Sequence, residues 1–157
     1  MPPIRRKAMQ ILVVNTSLDW SSRNPQFDDR RLSRLLVDGG HDAHDVPIPF
    51  VGAAANAALA LGLLPYAAYG DVFLGLGHRA AFVNHGRKII VVDEEIMDGV
   101  VGLTAANHDR LGKALRGCDE VVATTALTAA HLAASASVGA RVVSDVRDLL
   151  SSFDGDR

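Results

Sequence analysis

The chain has 157 residues but only one cysteine, one tryptophan and 5% aromatic residues. Cys118 cannot close an internal disulfide, which fits a reducing compartment. An excess of one charge is also missing: 16 Lys and Arg against 18 Asp and Glu leave a net charge of −2. No whole-chain basic field therefore draws nucleic acid, and the one basic run is Arg5-Arg6-Lys7. Long apolar runs are absent too. Val51 to Ala68 is interrupted by Asn56, Pro65 and several Gly and Ala, too weakly hydrophobic for a membrane span. Met9 to Val14 is broken at Asn15, too early for a secretory segment. The expectation is a cytoplasmic protein with no membrane span and no nucleic-acid partner.

What is present, 48% hydrophobic and 22% charged residues, is ordinary for a globular domain and excludes disorder, collagen and coiled coil as the dominant state. The length suits about one domain. Residues 1–8 read as a flexible basic leader, 9–153 as the domain and 154–157 as a tail.

Strand-length apolar runs recur at Gln10–Val14, Ala43–Ile48, Asp71–Leu74, Lys88–Val92, Glu120–Ala123 and Ala140–Val143. Most are continuous rather than alternating, as in strands covered on both faces. Helical patterns lie between them. Phe27, Leu32, Leu35 and Leu36 mark one apolar face with Arg30, Arg31 and Arg34 outward, and Gly39-Gly40 ends that helix. Thr104 is placed to cap a helix through Ala106, Leu111, Ala114 and Leu115, stopped by Gly117. Thr125 or Thr128 opens another towards Ser137, and Asp145 to Phe153 forms a last one. Strands alternating with helices predict an α/β fold: a single Rossmann-like three-layer domain with a mostly parallel, doubly wound sheet of about six strands.

Ligands of such sheets sit at the carboxyl ends of the strands. That selects Asn15 to Gln26, Gly75 to Arg79, Asp93 to Leu103 and Thr124-Thr125. In the first loop, Trp20 is able either to stack on a sugar face or to anchor the loop in the core. Gly75-Leu76-Gly77-His78-Arg79-Ala80 matches the dinucleotide pattern G-x-G-x-x-A, with Asp93-Glu94 beyond the next strand. Its spacing is poor. Only about two turns of helix fit before the strand at Arg87, and Asp93 comes short of the ~20-position spacing of the fingerprint. Tight-turn glycines are the alternative, and no cofactor is implied. His78 and Arg79 are candidates for holding an anion.

Asp93, Glu94, Glu95 and Asp98 form the densest carboxylate cluster, able to supply a general base or to be a solvated loop. His41 and His44 point to opposite faces of a strand, so no metal site is expected. Cys118, beside Asp119, reads as a packing residue, because a negative neighbour raises a thiol's pKa.

From Val46 to about Val143 the chain resembles the N-terminal domain of family 4 glycosyltransferases of the GT-B fold. Met9 to Thr16 is similar to that group's first strand, and Gly39 to Val46 resembles its "GHEVHVV" second strand. Asp71 through Lys88 runs without gaps beside a family segment, matching at Asp71, Ala80, Val83, His85, Arg87 and Lys88. Glu120 to Thr125 resembles the strand and turn before the helix that closes the acceptor side. Two departures stand out. The family's Lys-Phe-Pro is replaced by Gly77-His78-Arg79, and its His-Gln-His run by Glu94-Glu95-Ile96.

The resemblance implies the acceptor-side subunit of a split, hexosyltransferase-like enzyme. Asp93 and Glu94 would be its catalytic candidates. Asn15, Ser17, Trp20, Gly75, Gly77, His78, Arg79, Glu95, Thr124 and Thr125 would face a small-molecule or glycan acceptor. The family's donor signature, two glutamates separated by seven residues, does not occur around Glu94, Glu95 or Glu120. A donor-domain protein, a second glycosyltransferase subunit or a homodimer partner is therefore expected. The alternatives are a catalytically inactive GT-B-like binding or regulatory subunit, and a small NAD- or nucleotide-binding protein.

Overall fold

Continuous runs of Val, Ile, Leu and Phe can satisfy both faces of a strand only when helices cover both. The computed structural model, which describes residues 9–16, 19–47, 71–83, 87–97 and 108–153, has that arrangement. Strands β1 (Gln10–Asn15), β2 (Asp42–Pro47), β3 (Val72–Leu76), β4 (Lys88–Val92), β5 (Glu120–Ala123) and β6 (Arg141–Val142) form one sheet in the order β2-β1-β3-β4-β5-β6. Every neighbouring pair is parallel. The helices are α1 (Trp20–Arg23), α2 (Asp29–Asp38), α3 (His108–Arg116), α4 (Ala126–Ala136) and α5 (Val146–Leu150), with 3-10 turns at Pro25–Phe27, His78–Phe82, Glu94–Met97 and Ser151–Phe153.

Side chains alternate between two cores. Ile11 and Val13, Val72, Leu74 and Leu76, Ile89 and Val91, and Val122 face Trp20, Phe27, α2, α5 and Phe153. Leu12 and Val14, Phe73, Ile90 and Val92, and Val121 and Ala123 face Ala80, Val83, α3 and α4. This is the three-layer, doubly wound Rossmann-like fold. Among the described residues, no helix is long and apolar enough to cross a membrane.

Helix α2 shows how local chemistry sets these elements. The Asp28 side chain accepts the Arg31 N–H at the helix start, the usual work of an N-cap. Leu32 and Leu36 are buried while Arg30, Arg31 and Arg34 are exposed. The helix ends in a Schellman motif: Gly40 N–H donates to Val37 O and His41 N–H to Leu36 O, with Gly40 at φ +93°. Only glycine takes that left-handed turn without strain.

Three expectations need adjusting. The run Ala140–Val143 gives only the two-residue edge strand β6, whose residues are both exposed. Where about two turns of helix are expected from Ala81, the described residues form the 3-10 turn His78–Phe82, and Val83 returns to extended backbone. Thr125, not Thr128, caps α4, its Oγ1 accepting the Thr128 N–H. Ile48, Thr104 and Ala106 lie outside the described residues, as do the leader 1–8 and the tail 154–157.

At the other edge of the sheet, Asp45 of β2 hydrogen-bonds Asp29, a buried residue in the first turn of α2. Burial, followed by that bond and the Asp29 charge, pushes the Asp45 carboxyl up to about 7, with Arg30 pulling the other way. Two carboxylates that close cannot both be charged without cost, so Asp45 keeps its proton to a higher pH than a free carboxyl does.

Candidate functional site

A doubly wound sheet opens its crevice where the chain reverses its direction of winding. Here β2 lies on one side of β1, and β3 to β6 follow on the other. The reversal therefore falls between β1 and β3, and the loops above their carboxyl ends are the place to look. Thr16 staples those two strands together. Its N–H and its hydroxyl both donate to Leu76 O, at 3.0 and 2.9 Å.

The loop after β1 carries most of the polar work. Arg23 Nε donates to Asp93 Oδ2 at 2.8 Å, and Arg23 Nη2 to Glu95 Oε2 at 2.6 Å. Asn24 Nδ2 donates to the same Asp93 Oδ2 at 2.8 Å, and the Glu95 N–H donates to Asp93 Oδ1 at 3.1 Å. Because β3 separates β1 from β4, this knot carries the α1 loop across the head of β3. Burial disfavours the Arg23 charge. The bonds and charges of Asp93 and Glu95 outweigh that, holding the guanidinium above its ordinary pKa. Asp93 is only 4% exposed, so Arg23, Asn24 and the Glu95 N–H replace the water its oxygens would otherwise bind. Breaking a fully buried pair costs ~3–5 kcal/mol, and the 27% exposure of the Arg23 side chain lowers the figure here.

The sequence-predicted residues divide accordingly. Asp93 and Glu95 are brought together, with Glu94 exposed between them. Both Asp93 oxygens already accept hydrogen bonds, so Asp93 organises the loop, and Glu94 is the carboxylate open to solvent. Trp20 does not line a ligand surface. It is fully buried, and its Nε1–H donates to Phe27 O at 2.9 Å, so it anchors the loop instead of stacking on a sugar.

Gly75 is likewise a packing position. A Cβ there would lie 2.3 Å from the Ala80 Cβ and 2.8 Å from Ile90 Cδ1, so its bare Cα lets the following turn fold back against β3. Gly77 takes φ +106°, and its N–H donates to Val91 O at 2.8 Å. That N–H is not available to a pyrophosphate. The glycine pattern thus serves a tight turn, and the dinucleotide reading loses its structural context.

His78 is buried. Arg79 is half-buried, with its Nη1 shielded from water and without a hydrogen-bond partner among the described residues. Asn15 closes β1 at the crevice. The Thr124 N–H donates to Val92 O, and the Thr125 hydroxyl is occupied in capping α4. Ser17 and Asp98 lie outside the described residues. Among those described, no group of three or more His, Cys, Asp or Glu side chains is placed to hold a metal.

Arg23 and Asn24 are the residues that sequence reasoning missed. The available signal was an arginine in a polar loop after β1 and a carboxylate run after β4, two segments that only the strand order brings together.

A cavity of about 690 Å³ lies at the opposite, amino end of β5 and β6, lined by Leu115, Arg116, Cys118, Glu120, Val138 and Arg141 among others. Its charges are largely spent internally. Arg141 Nε and Nη2 pair with Glu120 Oε1 at 2.8 and 2.7 Å, and Arg116 Nη1 donates to Ala136 O. Burial pushes the Cys118 thiol up, and its Sγ–H donates to Ala114 O, which makes it a poor nucleophile. No protein-family profile and no curated protein matches the chain.

Proposed function

We propose that this domain is the acceptor-side lobe of a glycosyltransferase whose sugar-nucleotide site is supplied by a partner domain. The observation that carries the reading is the Arg23–Asn24–Asp93–Glu95 knot at the carboxyl end of a doubly wound sheet. It fixes the head of β4 and leaves Glu94 facing solvent beside the switch-point crevice. The sequence resemblance from Val46 to about Val143 supports the same reading. In this scheme Asp93 is a positioning residue. Glu94 takes the proton of the acceptor hydroxyl as that oxygen bonds to the anomeric carbon and the bond to the departing nucleotide diphosphate breaks. The crevice supplies acceptor contacts, and the partner supplies the donor.

One observation favours a second reading, a catalytically inactive binding or regulatory lobe. The best-placed carboxylate, Asp93, has both oxygens committed. Calorimetric titration of the purified chain with sugar nucleotides and with simple glycosides, followed by a transfer assay with its partner, separates the cases. The first reading expects glycoside binding, no tight sugar-nucleotide binding by the chain alone, and transfer in the complex that falls at least a hundredfold in Glu94→Gln. Unchanged transfer in Glu94→Gln favours the inactive lobe. Tight sugar-nucleotide binding by the chain alone refutes both.

A further inference from the structure

We infer that the turn leaving β3 is a phosphate-binding site, read by the guanidinium of Arg79 with Arg110 as a second positive charge on the same face. The starting point is a contrast between two arginines near the carboxyl edge of the sheet. Arg23 is saturated by Asp93 and Glu95. Arg79 is half-buried, forms no ion pair among the described residues, and keeps its Nη1 shielded from water with no acceptor. A shielded, unpaired donor on a charged group is costly, and native structures tolerate few of them without a ligand, ion or water to satisfy them.

Asp93 and Glu95 do not supply that partner. Both Asp93 oxygens are taken up by Arg23, Asn24 and the Glu95 N–H, and Glu95 is paired with Arg23.

The rest of the turn narrows the ligand. Residues three apart in a 3-10 turn share a face, which puts Phe82 beside Arg79. Phe82 is 37% exposed, and the Arg110 guanidinium lies 6.0 Å above its ring. Arg110 also has no ion pair among the described residues; its neighbour Asp109 contacts His108 instead. Two uncompensated guanidiniums match the −1.5 to −2 charge of a phosphate monoester at neutral pH better than the single charge of a carboxylate, and their planar forks suit its oxygens. Because the Gly77 N–H is spent on Val91 O, recognition is by side chains and not by a backbone nest. The site stands on these side chains alone. That the phosphate belongs to the glycosyl acceptor rests on the reading above.

The test titrates the full chain with inorganic phosphate, glucose 6-phosphate and malonate at constant ionic strength set by chloride, following melting temperature and calorimetric heat. Wild type should show saturable phosphate binding. Arg79→Met, which keeps the apolar stem, should weaken it at least tenfold while leaving the ligand-free melting temperature unchanged or raised, because an unpaired buried donor is removed. Arg110→Met, at an exposed position, should weaken binding severalfold and serves if Arg79→Met does not fold.

The proposal is overturned if phosphate gives no saturable response over chloride, or if both variants bind it like wild type. Malonate binding as tightly as phosphate overturns the assignment to phosphate in favour of a carboxylate. Intact phosphate binding without sugar transfer in the complex removes the glycosyltransferase reading and leaves the site. Transfer that survives without phosphate binding does the reverse.

Discussion

Replacing Asp45 by Asn should abolish a pH dependence built into the β2 edge. In the folded chain the Asp45 carboxyl is held up at about 7 by burial and by its bond to Asp29, whereas an unfolded chain releases that proton near pH ~3.9. Below both values the group is protonated in either state, and the fold has its full stability. As pH rises from 4 to 7 the unfolded state loses the proton first, so stability falls, and above 7 the loss is complete.

A displacement of about three pKa units at 1.36 kcal/mol each sets a ceiling of ~4 kcal/mol. Asp45 is only half-buried, and solvent screening reduces the expected loss to ~1–2 kcal/mol. Asn keeps the shape and can still donate a hydrogen bond to Asp29, but it cannot ionise. Urea unfolding of both proteins, followed by circular dichroism at pH 4, 6 and 8, should give equal stabilities at pH 4. At pH 8 the variant should lead by ~1–2 kcal/mol, or roughly 3–6 °C in Tm for a chain of this length. If the two proteins lose stability in parallel from pH 4 to 8, or if the variant is the weaker at pH 8, the fold does not hold the Asp45 carboxyl up.

Arg23→Met should destabilise the chain by ~2–4 kcal/mol in urea unfolding, since it strands the buried Asp93 charge. Asp93→Asn, which removes the charge but keeps an acceptor oxygen, should cost less, and the reverse order would contradict the knot. Gly75→Ala should cost ~2–3 kcal/mol through overpacking against Ala80, measured the same way; a neutral substitution would mean the turn sits further from β3. Trp20 fluorescence should be blue-shifted and insensitive to iodide in the native state, and strong quenching would place the ring at the surface.

The central strands were legible in the sequence because burial on both faces leaves continuous apolar runs such as Lys88–Val92, which no amphipathic surface element would carry. Helix α2 was legible for the complementary reason: its arginines and leucines separate at helical spacing and Gly40 closes it. At β6, Val143 is buried, but Arg141 and Val142 are exposed, so the apolar letters there overstated the strand. Trp20 and Gly75 were ambiguous because an aromatic ring or a glycine in a loop reads the same whether it meets a ligand or the chain's own core. The Arg23 knot could not be seen at all, because its spacing is set by the order of strands in the sheet, not by any local period. The glycine motif misled for a related reason: letters suited to cradling a phosphate here hold a turn flat against its own strand.

The bridge from Arg23 to Asp93 joins residues 70 positions apart, and this constrains when the crest can be assembled. During synthesis, the segment after β1 leaves the ribosome long before its acidic partners exist. Until β4 has docked, the guanidinium has only water for company, and burial of Trp20 alone holds α1 against β3. Contacts of such long range come late in folding, so ligand-binding competence should be among the last properties a newly made molecule acquires.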